Sequence, residues 1–107
     1  MPLRPIEFHV LLALAGEERH GYAILQEVGA LTEGELQPEP GTLYRALHRM
    51  LKDGWVVESN RRPAADLDDE RRRYYRLTPL GRRVASAEAE RLYRLVARAR
   101  EHRLLRA

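Results

Sequence analysis

Cations at helical spacing dominate the middle of this 107-residue sequence. Between Pro40 and Lys52, apolar residues recur at i, i+3, i+4, i+7 and i+8, which predicts an α-helix with one face on a core. These apolar residues are Leu43, Ala46, Leu47, Met50 and Leu51. The outward face would carry Tyr44, Arg45, His48, Arg49 and Lys52. Guanidinium, imidazole and phenol groups in one stripe suit the phosphates and base edges of a DNA major groove.

Individual residues of this helix suit different parts of a duplex. Arg45 and His48 are predicted to contact base edges, since Arg can donate to guanine O6 and N7 at once. Tyr44 is predicted to reach a phosphate with its hydroxyl, and Arg49 adds a second guanidinium. Thr42 is predicted to cap the first amides of the helix and to lie at the DNA. An ordinary solvated face is the alternative, so the flanking sequence has to decide.

Two shorter helices are predicted before the basic helix. Pro5 is placed to open the first, which runs to about Ala15 and ends at Gly16. The second starts near Gly21 and frays around Gly29. The side chains predicted to face inward are Ile6, Val10, Leu11 and Leu14 on the first helix and Tyr22, Ile24, Leu25 and Val28 on the second. A short helix, a turn and a basic helix are the order of a helix-turn-helix.

An extended segment follows the basic helix. Residues 55–57 and 72–77 are rich in β-branched and aromatic side chains and predict two paired strands, joined by a long polar loop over 59–70. Tyr74 and Tyr75 should point to opposite faces, one to the core and one to the surface. A hairpin in this position is the wing of a winged helix-turn-helix. The wing arginines predicted to contact DNA are Arg61, Arg62, Arg72 and Arg73.

A long helix is predicted at the end of the chain. Thr78 and Pro79 are a cap residue and a first-turn proline, and the helix continues to about His102. It would be about 36 Å long at 1.5 Å per residue, so a domain this small cannot cover its apolar stripe. The stripe, which we expect to pack on a second copy of the chain, consists of Ala85, Ala89, Leu92, Leu95, Val96 and Ala99. We therefore divide the chain into a DNA-binding domain, 1–78, and a dimerisation helix, 79–107.

Charge and composition limit the classes of partner. Residues 1–40 contain two Arg and seven Glu, a net charge of −5, whereas residues 79–107 contain eight Arg and three Glu, a net charge of +5. Clustered cations favour a polyanion such as DNA. No apolar run reaches the roughly 20 residues that span a bilayer. With neither a secretory leader nor a cysteine, we expect no membrane partner and a cytoplasmic location.

The sequence carries no pattern typical of an enzyme. It has no Gly-rich phosphate loop and no Ser or Cys nucleophile beside a base. The four histidines lack the spacing of metal ligands. We therefore predict no catalysis, no cofactor and no metal.

Three separated motifs agree in order and spacing. They are His20-Gly21-Tyr22, then Pro40-Gly41-Thr42-Leu43-Tyr44 with Leu47 and Gly54, then Arg73-Tyr74-Tyr75-Arg76-Leu77-Thr78 with Gly81. Together they resemble the PadR family of bacterial transcriptional regulators over roughly residues 5–85, and the single short C-terminal helix is similar to the family's small subgroup. The resemblance implies a winged-helix homodimer joined through its C-terminal helices, which usually acts as a repressor and leaves DNA when a small molecule binds.

We therefore expect a mainly α fold with a small β-hairpin, a winged helix-turn-helix with a long C-terminal dimerisation helix. In the dimer, the recognition helices would lie about 34–36 Å apart and enter successive major grooves of a near-palindromic operator. A small-molecule effector is predicted between the first and last helices, near Phe8, Leu12, Leu92 and Val96. A protein–protein adaptor and a ligand sensor without DNA binding are the alternatives, and the clustered arginines argue against both.

Overall fold

A computed structural model describes residues 3–59 and 73–105 of the chain. Four helices and three short strands alternate within these ranges. In chain order they are α1 (Pro5–Gly16), β1 (Arg19–His20), α2 (Gly21–Leu31), α3 (Pro40–Lys52), β2 (Val56–Glu58), β3 (Tyr74–Leu77) and α4 (Pro79–Glu101). The four predicted helices and the two predicted strands are present, and β1 was not predicted.

Local sequence explains where three of the helices begin. Pro5 opens α1, and the Glu7 carboxylate accepts a hydrogen bond from the Arg4 backbone N–H at 2.9 Å. His20 is the N-cap of α2, where its Nδ1 accepts from the Ala23 N–H at 3.0 Å. Thr78 caps α4 as predicted, with its hydroxyl oxygen accepting from the Gly81 N–H at 2.9 Å. These contacts satisfy amides that have no partner inside the helix.

The cap predicted for α3 is wrong. Glu39 occupies the N-cap position without a side-chain hydrogen bond, and Thr42 lies inside the first turn. There, the Thr42 hydroxyl accepts from the Arg45 guanidinium at 3.3 Å. Pro40 has no backbone N–H, so the first turn has one amide fewer that needs an acceptor. The helix starts without a side-chain cap.

The hydrophobic core lies where the three N-terminal helices meet the sheet. Its fully enclosed side chains share the inner faces of α1, α2 and α3 and one face of the strands. They are Val10, Leu11, Ala13, Leu14, Ile24, Val28, Leu43, Ala46, Leu47, Met50, Val56 and Tyr75. The inward face predicted for α3 is confirmed. The inward orientation predicted for Tyr22 on α2 is wrong, because 55% of the residue is exposed.

The sheet is antiparallel, with strand order β1-β3-β2. The hairpin pairs Val56 with Leu77 and Glu58 with Tyr75, which confirms the predicted pairing. Strand β1 adds to the other edge of β3, with His20 opposite Tyr74. Tyr75 is buried and Tyr74 half-buried, so the two tyrosines do take opposite faces.

Helix α4 extends beyond the body and makes the molecule elongated, with extents of 55 × 28 × 21 Å. Its start is held by a close approach: a Cβ on Gly81 would lie only 1.9 Å from the carbonyl oxygen of Trp55. The Thr78 hydroxyl also donates to the Gly54 carbonyl, and the Thr78 N–H donates to the Trp55 carbonyl. None of the helices in 3–59 and 73–105 is both long and apolar enough to cross a membrane.

Candidate nucleic-acid interface

One exposed stripe runs the length of α3, on the side away from the core. It consists of Gly41, Arg45, His48 and Lys52, which are all exposed. The spacing i, i+4, i+7, i+11 places them on one face of the helix, opposite the buried residues Leu43, Leu47 and Met50. We call these four residues the α3 stripe. It presents two fixed positive charges and an imidazole to solvent.

Gly41 leaves room for the Arg45 side chain. A Cβ on Gly41 would lie 3.3 Å from an Arg45 guanidinium nitrogen, a tight contact. With glycine there, the guanidinium lies against the first turn of α3 and donates to Thr42, itself half-buried. Lys52 was predicted on the outward face of this helix, whereas Gly41 was missed, and its four-residue spacing from Arg45 was the signal that could have found it.

Tyr44 does not face outward, which corrects the sequence prediction. Its ring packs over the start of α2, where a Cβ on Gly21 would lie 2.6 Å from the phenol oxygen and 2.7 Å from a ring carbon. The hydroxyl oxygen is buried. Tyr44 therefore joins the two helices of the helix-turn-helix, and in this conformation its hydroxyl is not available to a phosphate.

Arg49 is also absent from the α3 stripe. It lies on the flank of α3, is half-buried, and its Nε is buried without a hydrogen-bond partner among the described residues. The side chain lines a cavity between the end of α3 and α4. The prediction that Arg49 shares an outward face with Arg45 and His48 is wrong.

His20 takes a structural position. Besides capping α2, its ring contacts the Tyr74 ring edge-on, with 5.3 Å between ring centroids. The motif residues His20 and Gly21 thus contact β3 through Tyr74 and α3 through Tyr44. The start of α2 therefore contacts both α3 and the hairpin, the two elements that reach DNA in a winged helix-turn-helix.

Only the base of the hairpin lies in the part of the chain that the structure describes. Arg73 is exposed, with its Nε 3.8 Å from a carboxylate oxygen of Glu58 on the paired strand. Ser59 donates to the Glu18 carboxylate at 2.6 Å, which ties the end of β2 to the segment before β1. The predicted contacts Arg61, Arg62 and Arg72 lie outside the described residues.

The residues predicted to form a dimer differ in exposure along α4. Ala85 is half-buried and packs on the core, and Leu92 and Ala99 are half-buried. Ala89 is exposed, Leu95 is 54% exposed and Val96 is 41% exposed. Tyr93, at 67%, adds to this apolar surface. The C-terminal half of α4 therefore presents large apolar side chains that this chain does not cover.

A cavity of about 650 Å³ lies between the N-terminal part of α1 and the middle of α4. This is the pair of helices at which an effector was predicted, but Phe8, Leu12, Leu92 and Val96 are not among its lining residues. The lining comes instead from residues at the start of α1, from Arg49 and Trp55 near the end of α3, and from both apolar and charged residues of α4. Within 3–59 and 73–105, no three His, Asp or Glu side chains are grouped to hold a metal ion.

The chain is similar to known proteins in family profile, sequence and fold. The profile of the transcriptional regulator PadR-like family matches residues 10–87. Transcriptional regulator Rv3488 of Mycobacterium tuberculosis (strain ATCC 25618 / H37Rv) is 36% identical over 90 residues, which are 84% of this chain and 78% of that protein.

Two solved structures show the same fold. A transcriptional regulator from Clostridium thermocellum superposes with a TM-score of 0.73 at 24% identity, covering 91% of this chain and 87% of that one. Bacillus subtilis PadR in complex with operator DNA superposes with a TM-score of 0.66 at 20% identity, covering 80% of this chain and 47% of that one. The predicted winged helix-turn-helix is confirmed.

The family match extends over most of the described fold, from within α1 to the first half of α4. It includes all three motifs and the contacts that they make in the structure, Gly21 with Tyr44 and Gly81 with Trp55. Members of this family regulate transcription and are not enzymes. The chain belongs to the PadR-like family of transcriptional regulators.

Proposed function

We propose that this protein is a homodimer that binds a near-palindromic operator in DNA and represses transcription until a small molecule releases it. The observation that carries the proposal is the α3 stripe, in which two cations and an imidazole are exposed on a helix whose opposite face is buried. A cationic face on a rigid helix can enter a major groove without rearrangement. The solved complex of Bacillus subtilis PadR with operator DNA supports DNA as the partner.

The α3 stripe suggests a division between reading and positioning. Arg45 and His48 lie in its middle, where we expect them to contact base edges. Lys52 lies in the last turn, where an ammonium group suits a phosphate, and Thr42 lies at the other end of the helix. The wing arginines are proposed to contact the neighbouring backbone: Arg61, Arg62, Arg72 and Arg73.

Dimerisation is proposed to use the uncovered C-terminal half of α4. Leu95 and Val96 project there, and burial of such a side chain contributes about 1.5 to 3 kcal/mol. In a two-fold symmetric interface each contact occurs twice, so a few apolar residues per subunit are enough to stabilise a dimer. Pairing through α4 would set the distance between the two α3 helices, and a spacing of about 34–36 Å would match one turn of DNA. Such a regulator would act in the cytoplasm.

Binding to randomised duplex DNA, followed by selection and sequencing, tests this proposal. We expect two inverted half-sites whose centres are 10 to 10.5 base pairs apart, roughly one turn of B-DNA. Arg45→Ala should relax base preference at one position of each half-site by about 1 to 3 kcal/mol. Arg61→Ala should weaken binding to all sequences equally and reduce its salt dependence.

Arg98→Ala is the matched control, because Arg98 is an exposed arginine near the end of α4 that pairs with Glu101. It should leave both affinity and base preference unchanged. Recovery of no common sequence, or an equal loss on every sequence for Arg45→Ala and Arg61→Ala, would contradict the proposed roles.

A further inference from the structure

A short hydrogen bond joins two parts of the chain that are distant in sequence, at the end of the hairpin where Arg73 lies. The Ser59 hydroxyl donates to the Glu18 carboxylate at 2.6 Å. Ser59 directly follows β2 and is only 7% exposed, and Glu18 directly precedes β1. A hydrogen bond to a carboxylate is stronger than one between neutral groups. We call this contact the Ser59–Glu18 bond.

The Ser59–Glu18 bond connects the two outer strands of the sheet. Strand β3 lies between β1 and β2, so a contact from the residue after β2 to the residue before β1 reaches from one side of β3 to the other. The Ser59 backbone N–H also donates to the Tyr74 carbonyl at 2.8 Å, beyond the last ladder pair, Glu58 with Tyr75. Ser59 therefore contacts β3 through its backbone and the segment before β1 through its side chain.

The segment that carries Glu18 is itself held by two helices. The next residue, Arg19, donates from its guanidinium Nε to the Ala13 carbonyl at 2.8 Å, near the end of α1. Its Nη2 lies 3.7 Å from the Glu27 carboxylate on α2. The Ser59–Glu18 bond thus attaches the end of β2 to a segment that α1 and α2 keep in place.

Arg73 lies beside this contact. It is exposed and directly precedes Tyr74, the residue whose carbonyl accepts from Ser59. Its Nε lies 3.8 Å from a Glu58 carboxylate oxygen, and an exposed ion pair of this kind contributes little to stability. A phosphate can therefore replace Glu58 at little cost, provided that the strand end holds the Arg73 backbone in place.

We propose that Ser59 and Glu18 are positioning residues for DNA binding, because their hydrogen bond holds the strand end from which Arg73 contacts a DNA phosphate. Their role rests on the proposed function, in which Arg73 is a wing contact. Neither residue contacts DNA itself, since Ser59 is buried and the Glu18 carboxylate is repelled by phosphate. A strand end that is ordered before binding loses less conformational entropy when DNA binds.

Amide hydrogen exchange of the full-length protein tests the Ser59–Glu18 bond without DNA. In Ser59→Ala and in Glu18→Ala, the amide of residue 59 should exchange at least about tenfold faster, the change expected for loss of one hydrogen bond to a charged group. The Trp55 amide, which donates to the Met50 carbonyl before β2, should exchange as before. Ser86→Ala is the matched control, because Ser86 is the other serine of the chain and is exposed on α4. An unchanged rate at residue 59, or equal acceleration of both amides, would overturn the proposal.

The salt dependence of DNA affinity separates positioning from a general loss of stability. Arg73→Ala should reduce the slope of log affinity against log salt concentration by about 1, the loss of one phosphate contact. Ser59→Ala changes no charge, yet it should weaken binding to all sequences and also reduce this slope. The double variant should lose less affinity than the product of the two single losses, because both substitutions remove the same contact. Multiplicative losses, or a slope that Ser59→Ala leaves unchanged, would contradict the positioning role.

Glu18→Gln distinguishes position from charge. Removal of a carboxylate near DNA strengthens binding by itself, since it removes a repulsion from phosphate. The side-chain carbonyl of glutamine can still accept from Ser59, so Glu18→Gln should bind DNA at least as tightly as the unsubstituted protein. Glu18→Ala should bind more weakly. Tighter binding by both variants would mean that Glu18 acts through its charge alone and would overturn the proposal.

Failure of the proposed function and failure of the positioning role give different results. If the protein binds no duplex, DNA binding and the role of Arg73 both fail, and exchange at residue 59 still decides whether the Ser59–Glu18 bond holds the hairpin. If the protein binds DNA but Ser59→Ala leaves the salt dependence unchanged, only the positioning role fails.

Discussion

Helices α3 and α4 both carry exposed cationic side chains, but the contacts that hold the two helices in place differ greatly. Four of the thirteen residues of α3 are buried apolar side chains, and its flank packs on α2 through Tyr44 and Gly21. In α4, the buried residues are Gly81 and Glu88, neither with a large apolar side chain. A single chain therefore positions α3 by packing it on the core. By contrast, α4 is packed closely only at its start, and the apolar side chains of its C-terminal half are exposed.

Gly81→Ala should most severely damage the attachment of α4. The added Cβ would meet the carbonyl oxygen of Trp55 at 1.9 Å, and backbone atoms cannot move aside as a flexible side chain can. We expect a loss of about 3 kcal/mol in the free energy of unfolding, measured by urea denaturation.

Gly29→Ala is the matched control for this substitution. Gly29 also lies in a helix, but an added Cβ there would meet nothing within 4 Å. Alanine at such a position should stabilise the protein by about 0.5 to 1 kcal/mol, since it restricts the unfolded chain. Equal losses for both variants would show that the close approach at Gly81 does not hold α4.

Leu95→Glu should break the proposed dimer without unfolding the subunit. Leu95 is 54% exposed, so a charge costs little in the monomer but removes two buried leucines from a symmetric interface. At about 1.5 to 3 kcal/mol for each leucine, the dimer dissociation constant should rise at least about a hundredfold. Sedimentation equilibrium measures the change.

Tyr22→Glu serves as the control for that experiment, because Tyr22 is equally exposed but lies on α2. It should leave the association state as it is. A Leu95→Glu protein that still dimerises with unchanged affinity would mean that the uncovered half of α4 is not the interface.

The smallest expected effect is the pH dependence of the Glu88 ion pair. Pairing with Arg91 lowers the pKa of Glu88 in the folded state, so the pair stabilises the fold above the ordinary carboxyl pKa. This stabilisation declines as the pH falls through that value towards the lowered one. Melting temperatures between pH 3 and 7 should therefore fall less steeply with acid in Glu88→Gln than in the unsubstituted protein. Identical slopes would show that this ion pair within α4 contributes nothing to stability.

Helical periodicity did not predict whether residues on the flanks of a helix are buried or exposed. The faces centred on the core and on solvent were predicted correctly for α3, because helical periodicity separates them by half a turn. Tyr44 and Arg49 lie between those faces, where the neighbouring element decides. A glycine on α2 admits the Tyr44 ring, and the approach of α4 encloses Arg49. Tyr22 shows the reverse error, because this aromatic residue of α2 was expected in the core and is exposed to solvent.

The sequence by itself determined the helices, their start at proline and cap residues, and the hairpin, since these depend on neighbours along the chain. It also determined the family, since three motifs occur in a fixed order and spacing. Only the tertiary structure decided the rest. It paired the two-residue strand β1 with β3, brought Gly81 against Trp55, and placed arginines of α3 and α4 around one cavity. These features join residues distant in sequence, and no local preference records which of them will meet.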